Sequence, residues 1–481
     1  MGAQGITREF RDIPLIGMPF ENVEDAQVDQ WAATMVDVLP VIVEDKLQIM
    51  KRPGLEEHID LGTNLPVDGL YWFDKRRVAL AVSAGRVWKI TDSSGTRQEL
   101  LGSTDILQSA IVSFADDGSR AAMANGGKIV HTDLTTLTTM ASANAPQHVT
   151  HLAEIDGYLL ANDVGTQHVH FSDPTDFTIW NALDFFSAES RSDDVVAMKE
   201  AYRELIVLGR ETVEFFQNDG RTPFARITGS AQPFGIEARD SLANVGGVWM
   251  WLGDKRQLLT MNGRAVVPVS SPYDKLLQDF QSVDDAIGYT VSIGGHPIYL
   301  LNFPTAKQTL AYNYVTKIWH KWGYWDSENA TYQRYRGNTY CYARSWNQHL
   351  VGDYSNGKIY KASRTIYTDD GNPIRSLLRS GHVTHGTYGT KRSPLVRLRC
   401  KRGLGNDACP NPQVMMRRRL DNGAVWTNER WKSLGRSGQH ESFADWRLNG
   451  IYKSCQYEFI HSDPTDFVVM GAQEDVEYLG R

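Results

Sequence analysis

VALAVSAGRVWKIT at residues 78–91 decides how the chain is read. An apolar, β-rich run meets Ala84-Gly85, and a second such run follows. Gly tolerates the left-handed backbone that a two-residue hairpin turn requires, so this stretch predicts strand, tight turn, strand. The pattern returns in SRAAMANGGKIVHT (119–132), DGYLLANDVGTQHVHFS (156–172), RELIVLGRETVEFF (203–216) and VGGVWMWLGDKRQLLTMNG (245–263). HPIYLLNFPTAKQTLAYNY (296–314) and QHLVGDYSNGKIYKAS (348–363) continue it. Equivalent points lie 37 to 52 residues apart. An irregular period of that size in all-β sequence is the mark of a propeller, whose blades bury their faces against one another. Seven candidate units are present, and because the first and last can combine into one closed blade, six to eight blades are expected. A large β-sandwich is the competing architecture. The sustained beat favours the propeller.

Outward from these hairpins the text changes on both sides. Residues 1–66 are punctuated by Pro14, Pro19, Pro40, Pro53 and Pro66, which excludes long helices and predicts an extended arm with one or two strands. Residues 67–370 are the propeller-like platform, and residues 371–481 a small β domain. The chain of 481 residues has 41% hydrophobic and 22% charged residues, ordinary for a globular fold and too long for one small core. The polar start MGAQGITREFRD is no signal peptide, Ile6 argues against myristoylation of Gly2, and no apolar run is long enough to span a bilayer. Membrane insertion is not expected. Four cysteines, Cys341, Cys400, Cys409 and Cys455, form no CxxC pair and read as thiols of a reducing compartment. A Cys400–Cys409 disulfide is the alternative.

Catalytic signatures are missing: there is no GxSxG, Walker loop or HExxH. His148/His151, His168/His170 and His382/His385 are the nearest histidine pairs. None has ligand spacing that outweighs an ordinary packed or solvated role. Asp116-Asp117 and Asp369-Asp370 precede glycine and read as turns, while Asp193-Asp194 and Asp284-Asp285 precede strands as structural corners. SDPTDF occurs twice, at Ser172–Phe177 and Ser462–Phe467. It reads as an Asx-turn ending a strand rather than as a calcium site. Trp319, Trp322, Tyr324, Trp325, Tyr332, Tyr335, Tyr340 and Tyr342 form an aromatic-dense stretch interleaved with Lys317, Lys321, Arg334, Arg336 and Arg344. Packing is preferred there over stacking on bases or sugars. No catalytic residue, metal or cofactor is expected.

Charge is the more informative signal. The net charge is −7, yet residues 361–436 hold sixteen Lys or Arg against five Asp or Glu. Residues 1–360 carry a balance of −13. Within the basic segment, Arg397, Arg399, Lys401, Arg402, Arg417, Arg418 and Arg419 are the candidate contacts with a partner or with DNA. Alternation places Arg397 and Arg399 on one strand face, and two adjacent basic strands would form a cationic stripe suited to phosphate or to an acidic protein surface.

Several blocks, taken in order, resemble a known family. They are MVDVLPVIVEDKLQIMKRPGLEEHIDLG, with ITREF upstream, the long block from HLAEIDGYLLANDVGTQHVHFSDPTDF to RELIVLGRETVEFF, GSAQPFGIEARDSLANVGGVWMWLG, and DNGAVWTNERWKSLGRSGQHESFADWRLNGI. Together they resemble the tail nozzle or hub proteins of P22-type short-tailed phages, also called packaged DNA stabilization proteins. The resemblance implies a virion structural protein, made in the bacterial cytoplasm. Six copies would form a ring below the portal and its adaptor, with tail fibre or tailspike and tail needle as further partners. That ring would retain packaged double-stranded DNA and channel it during ejection. The family supplies no catalytic residues. Two other classes remain open at this point. A propeller glycan hydrolase predicts convergent carboxylates, and a receptor-binding adhesin predicts a trimer or an exposed aromatic groove.

Overall fold

The computed structural model describes residues 7–16, 34–103, 105–189, 191, 193–220, 223–269, 273–421 and 423–479. Gly2, Pro19 and Asn422, which the sequence reading used, lie outside them. Strands dominate, and the single α-helix among the described residues is Asp274–Asp279.

Each of the seven hairpins is formed. In the first, Val78–Ser83 pairs with Arg86–Ile90, and Ala84 and Gly85 between them have φ of 54° and 70°. Two left-handed residues in succession are what a type I′ turn needs. In the first five blades an inner strand precedes the hairpin and an outer strand follows it. The first blade, for example, runs Val67–Phe73, Val78–Ser83, Arg86–Ile90, Arg97–Gly102. The inner strands are Val67–Phe73, Ser113–Asp116, Leu152–Ile155, Ala197–Ala201, Ala243–Val245, Ile287–Ile293 and Gly337–Ala343. The first four touch in succession, as do the fifth, sixth and seventh, and the seventh returns to the first. Ile206 and Phe215 join Trp249 and Met261 in one cluster between the fourth and fifth blades.

The cores lie between blades. Phe73, Leu80 and Val82 of the first blade pack with Met123 and Val130 of the second. Leu160 and Val169 of the third pack with Met198, Leu205 and Phe216 of the fourth. Each blade therefore buries both faces only through its neighbours, the physical reason for a closed ring. Closure uses the N-terminal side of the chain: the strand Gly54–Asp60 lies beside Lys358–Ser363 in the seventh blade. Ile59 and Leu61 join Leu350 and Ile359 there. The fold is thus all-β, with seven blades among the described residues.

Compact units cut the chain along other lines than the sequence boundaries at 66 and 370. One comprises residues 57–307 and 334–362, the propeller. The other comprises residues 1–56, 308–333 and 363–481, a two-sheet sandwich. In its first sheet Val468–Tyr478 is central, flanked by Lys391–Cys400 on one side and by Lys46–Lys51 and Thr7–Ile13 on the other. The second sheet runs Ile318–Asp326, Thr34–Val36, Ser376–Arg379, Cys455–His461, Gln413–Leu420, Arg430–Ser433. Between them lie Val396, Leu398, Trp446 and Val469 from the first, with Leu378, Val414, Met416 and Phe459 from the second. The described parts of the N-terminal arm are therefore strands of this sandwich, held by pairings such as Arg8 opposite Glu477.

Candidate functional site

The basic segment divides between the two sheets of the sandwich. Lys391–Cys400 pairs with Ala444–Arg447 and Val468–Tyr478, whereas Gln413–Leu420 pairs with Cys455–His461 and Arg430–Ser433. The expected stripe of two adjacent basic strands is not formed, because long-range pairing inserts each strand into a different sheet.

On the first sheet the expected alternation holds. Val396, Leu398 and Cys400 are buried, and Arg397 and Arg399 share the other face. Asp445 sits directly across from Arg397 and accepts two hydrogen bonds from it at 2.7 Å. This pairing holds the Arg397 guanidinium charged beyond its ordinary range. Phe443 lies under both Arg397 and Arg402, at 4.9 and 4.2 Å from its ring centroid. Arg399 approaches Asp12 only to 4.0 Å, and Lys401 approaches Asp466 to the same distance. Arg399 and Lys401 are exposed and Arg402 partly so. These three are the cations with charge left to offer.

On the second sheet the cations are occupied. Glu458 is fully buried and lies across from Arg379 on one neighbouring strand and Arg417 on the other. It accepts from Arg379 at 2.7 Å and from Arg417 at 2.6 Å. Arg379, Arg417 and Arg419 surround the Trp426 ring at 5.2, 4.9 and 4.7 Å. Arg418 points to the opposite face. It is 5% exposed and donates to the Asn449 carbonyl, while its backbone N–H donates to Thr427 Oγ1 at 2.9 Å. The middle arginine is a structural pin rather than a surface contact. Phe443 and Trp426, the aromatic platforms, were absent from the sequence candidates. An aromatic residue at a strand end beside a basic run was the available signal.

The other singled-out residues fall into local roles. Asp173 Oδ1 accepts from the Thr175 N–H at 2.8 Å and Asp176 Oδ1 from the Thr178 N–H at 2.9 Å, the Asx-turns expected of SDPTDF. In the second copy Asp463 Oδ2 instead caps Gln413 N at 2.7 Å. Asp193 accepts from the N–H groups of Arg210, Glu211 and Thr212, a corner clamp. His168 and His170 pack in tilted contact with the Phe185 ring, and His385 meets Glu474 at 2.9 Å. Trp319, Trp322 and Tyr335 are buried. The four cysteines are free, and all but Cys409 are buried.

A buried charge centre lies in the same sandwich unit. Arg52 of the Lys-Arg-Pro-Gly stretch is 1% exposed. It donates to Asp37 at 2.7 Å, to both oxygens of Asp369, and to the Gly323 carbonyl at 2.7 Å. Asp369 is thus an ion-pair partner and not merely turn sequence. Burial pushes the Asp37 carboxyl up to about 6, against the pull of Arg52. Lys51 beside it donates to the Asp463 carbonyl at 2.6 Å, and burial lowers its ammonium to about 7, opposed by Asp463 and Asp466. The ordinary lysine value is about 10.4. Between the two values the unfolded chain binds the extra proton, so stability should rise with pH across that window. The thermal midpoint is expected to climb from pH 7 to pH 9, and Lys51→Met to flatten the climb. An equal climb in the variant would assign it elsewhere.

In the propeller, Lys199 of the fourth inner strand reaches past the third blade to Ser113 Oγ of the second, at 3.5 Å. Burial lowers its ammonium, countered by Asp240. The side chain therefore crosses part of the propeller's own bore.

A family model described as "Bacteriophage P22 Gp10, beta-propeller" matches residues 13–367. No curated protein matches the chain. Among solved structures, a chain of the mitotic checkpoint complex is 15% identical, with 65% of this chain and 93% of that one covered at a TM-score of 0.40. BamB from Moraxella catarrhalis is 11% identical, covering 64% and 97%, with a TM-score of 0.39. The Pan2 WD40 domain of Neurospora crassa is 8% identical, covering 66% and 95%, with a TM-score of 0.40.

Proposed function

Since the chain belongs to the family of the bacteriophage P22 Gp10 β-propeller, a phage structural protein, we propose that it is the nozzle or hub of a short phage tail, a part without enzymatic activity. Six copies form a ring in the virion, below the portal adaptor, that retains packaged DNA and channels it during ejection. The observation that carries this reading is the family match over most of the chain, joined to a propeller whose bore is crossed by Lys199. A duplex cannot use such a bore, so its passage is the hole that several copies enclose, and each propeller serves as a rigid piece of wall.

The charge balance supports the same arrangement. Each cation paired with phosphate adds affinity and slows a sliding duplex. An acidic body suits the wall of a passage. Arg399, Lys401 and Arg402 then face an acidic protein neighbour, the adaptor or another tail component, while fibre or tailspike and needle attach elsewhere on the ring. Particles assembled without this protein should package DNA and then lose it, and added purified protein should restore retention. Particles that hold their DNA equally well without it would refute the proposal.

A further inference from the structure

Three blades bring polar side chains together at one place in the propeller. Ser113 opens the second inner strand, His151 precedes the third, and Lys199 lies within the fourth. Ser113 Oγ accepts from the Leu152 N–H at 3.0 Å, which sets it beside His151. It also accepts from the Lys199 ammonium at 3.5 Å. Ser113 and His151 are buried, while Lys199 is only half-buried, so the cluster keeps access to the bore.

The cluster is rich in donors and lacks a negative charge. Lys199 has no carboxylate within ion-pair distance among the described residues. Asp240 is the one carboxylate whose charge reaches it, and both Asp240 oxygens are taken by Arg239, at 3.1 and 2.8 Å. Charges withdrawn from water are ordinarily paired. His151 is fixed by Asn162, whose Oδ1 accepts from the Thr150 and His151 N–H groups at 3.0 and 2.8 Å. Asn162 Nδ2 donates to Thr150 Oγ1 at 2.9 Å, which leaves the Thr150 hydroxyl to donate to His151 Nδ1 at 3.2 Å. The ring proton therefore sits on Nε2, which meets no acceptor among the described residues. Burial, with Lys199 and Arg239 adding to it, holds the imidazole well below its ordinary value. The ring is neutral, and the charges that reach it are positive. The Ser113 hydroxyl accepts in its bonds to Leu152 and Lys199 and keeps its own proton to give.

We propose that Lys199, His151 and Ser113 bind one small oxyanion of the phosphate class in the propeller's bore. Lys199 supplies the charge, and the His151 Nε2–H and the Ser113 hydroxyl supply neutral donors. Hydrogen bonds in which one partner is ionised are the stronger ones, so the anion gains from all three. Donors from three different blades suit a group with several equivalent oxygens better than a planar carboxylate, which presents two. A cation finds no free carboxylate here. The bound anion would tie the second, third and fourth blades together through a single ligand. The site lies within one propeller, so it stands apart from the ring reading above.

The test is isothermal titration calorimetry of the full chain with inorganic phosphate, at pH 7 and constant ionic strength. One phosphate per chain should bind, and acetate should bind at least tenfold more weakly. Lys199→Met should weaken phosphate binding tenfold or more without lowering the thermal midpoint of the phosphate-free protein, because it gives up one long hydrogen bond and an unpaired charge. Lys199→Gln, which keeps a donor for Ser113, should lose the binding as well. Saturating phosphate should raise the wild-type midpoint, as a ligand of the folded state does, and should leave both variants unmoved. A wild-type chain that takes up no phosphate, or a folded Lys199→Met or Lys199→Gln chain that binds it as tightly as wild type, would overturn the proposal. Acetate bound as tightly as phosphate would overturn the assignment to the phosphate class. The ring reading is tested separately by DNA retention.

Discussion

Replacing Arg52 by methionine is expected to destabilise the sandwich unit by about 3–5 kcal/mol, the usual loss when one partner of a buried ion pair is removed. Asp37 and Asp369 are 0% and 1% exposed, so both carboxylates would stay in the interior without their cation, and the Gly323 carbonyl would lose its donor. Asp37 would respond first, since burial already holds it near 6, and protonating it at low pH should return part of the loss. Adding Asp37→Asn and Asp369→Asn to Arg52→Met should recover much of the stability, because neutral polar groups cost less to bury than unpaired charges. Urea unfolding of the single and the triple variant measures this. A loss under about 1 kcal/mol for Arg52→Met would show that the centre is not load-carrying.

The second large effect separates the seven basic candidates. Arg418→Glu is expected to abolish the folded sandwich, because it buries a carboxylate against the Asn449 carbonyl in place of a donor. Arg399, Lys401 and Arg402 reversed together should leave the fold within about 0.5 kcal/mol, as exposed substitutions do, and should weaken docking to the neighbouring tail protein. The wild-type contact should itself weaken as salt rises, since exposed charges are screened within about 8 Å at physiological ionic strength. Thermal melts and adaptor-binding assays at two salt concentrations check both variants. A stable Arg418→Glu protein would contradict its role as a pin. A triple reversal that leaves docking intact and alters only DNA retention would turn the cations towards the duplex.

How far these features were legible follows from their range along the chain. The blades are local: each hairpin carries its own apolar strands and turn residues, and Ala84-Gly85 announces its turn directly. The closing strand Gly54–Asp60 and the pairing of Arg8 with Glu477 are not local, and an arm that pairs hundreds of residues away leaves no periodic trace. The same limit hid the separation of the basic strands into two sheets. Arg417–Arg419 could have been read further, since three consecutive arginines in a strand cannot share one face. The middle one had to face inward. Arg52 was visible only as part of a Lys-Arg-Pro-Gly stretch, because its partners Asp37 and Asp369 come from distant turns.

Imaging the assembled tail by single-particle electron microscopy tests the central claim most directly. The account predicts a six-fold ring of this chain below the portal adaptor, propellers set in its wall, and duplex density in the hole between copies. DNA density running through the propeller bore past Lys199, or an assembly of this chain that encloses no passage, would contradict it.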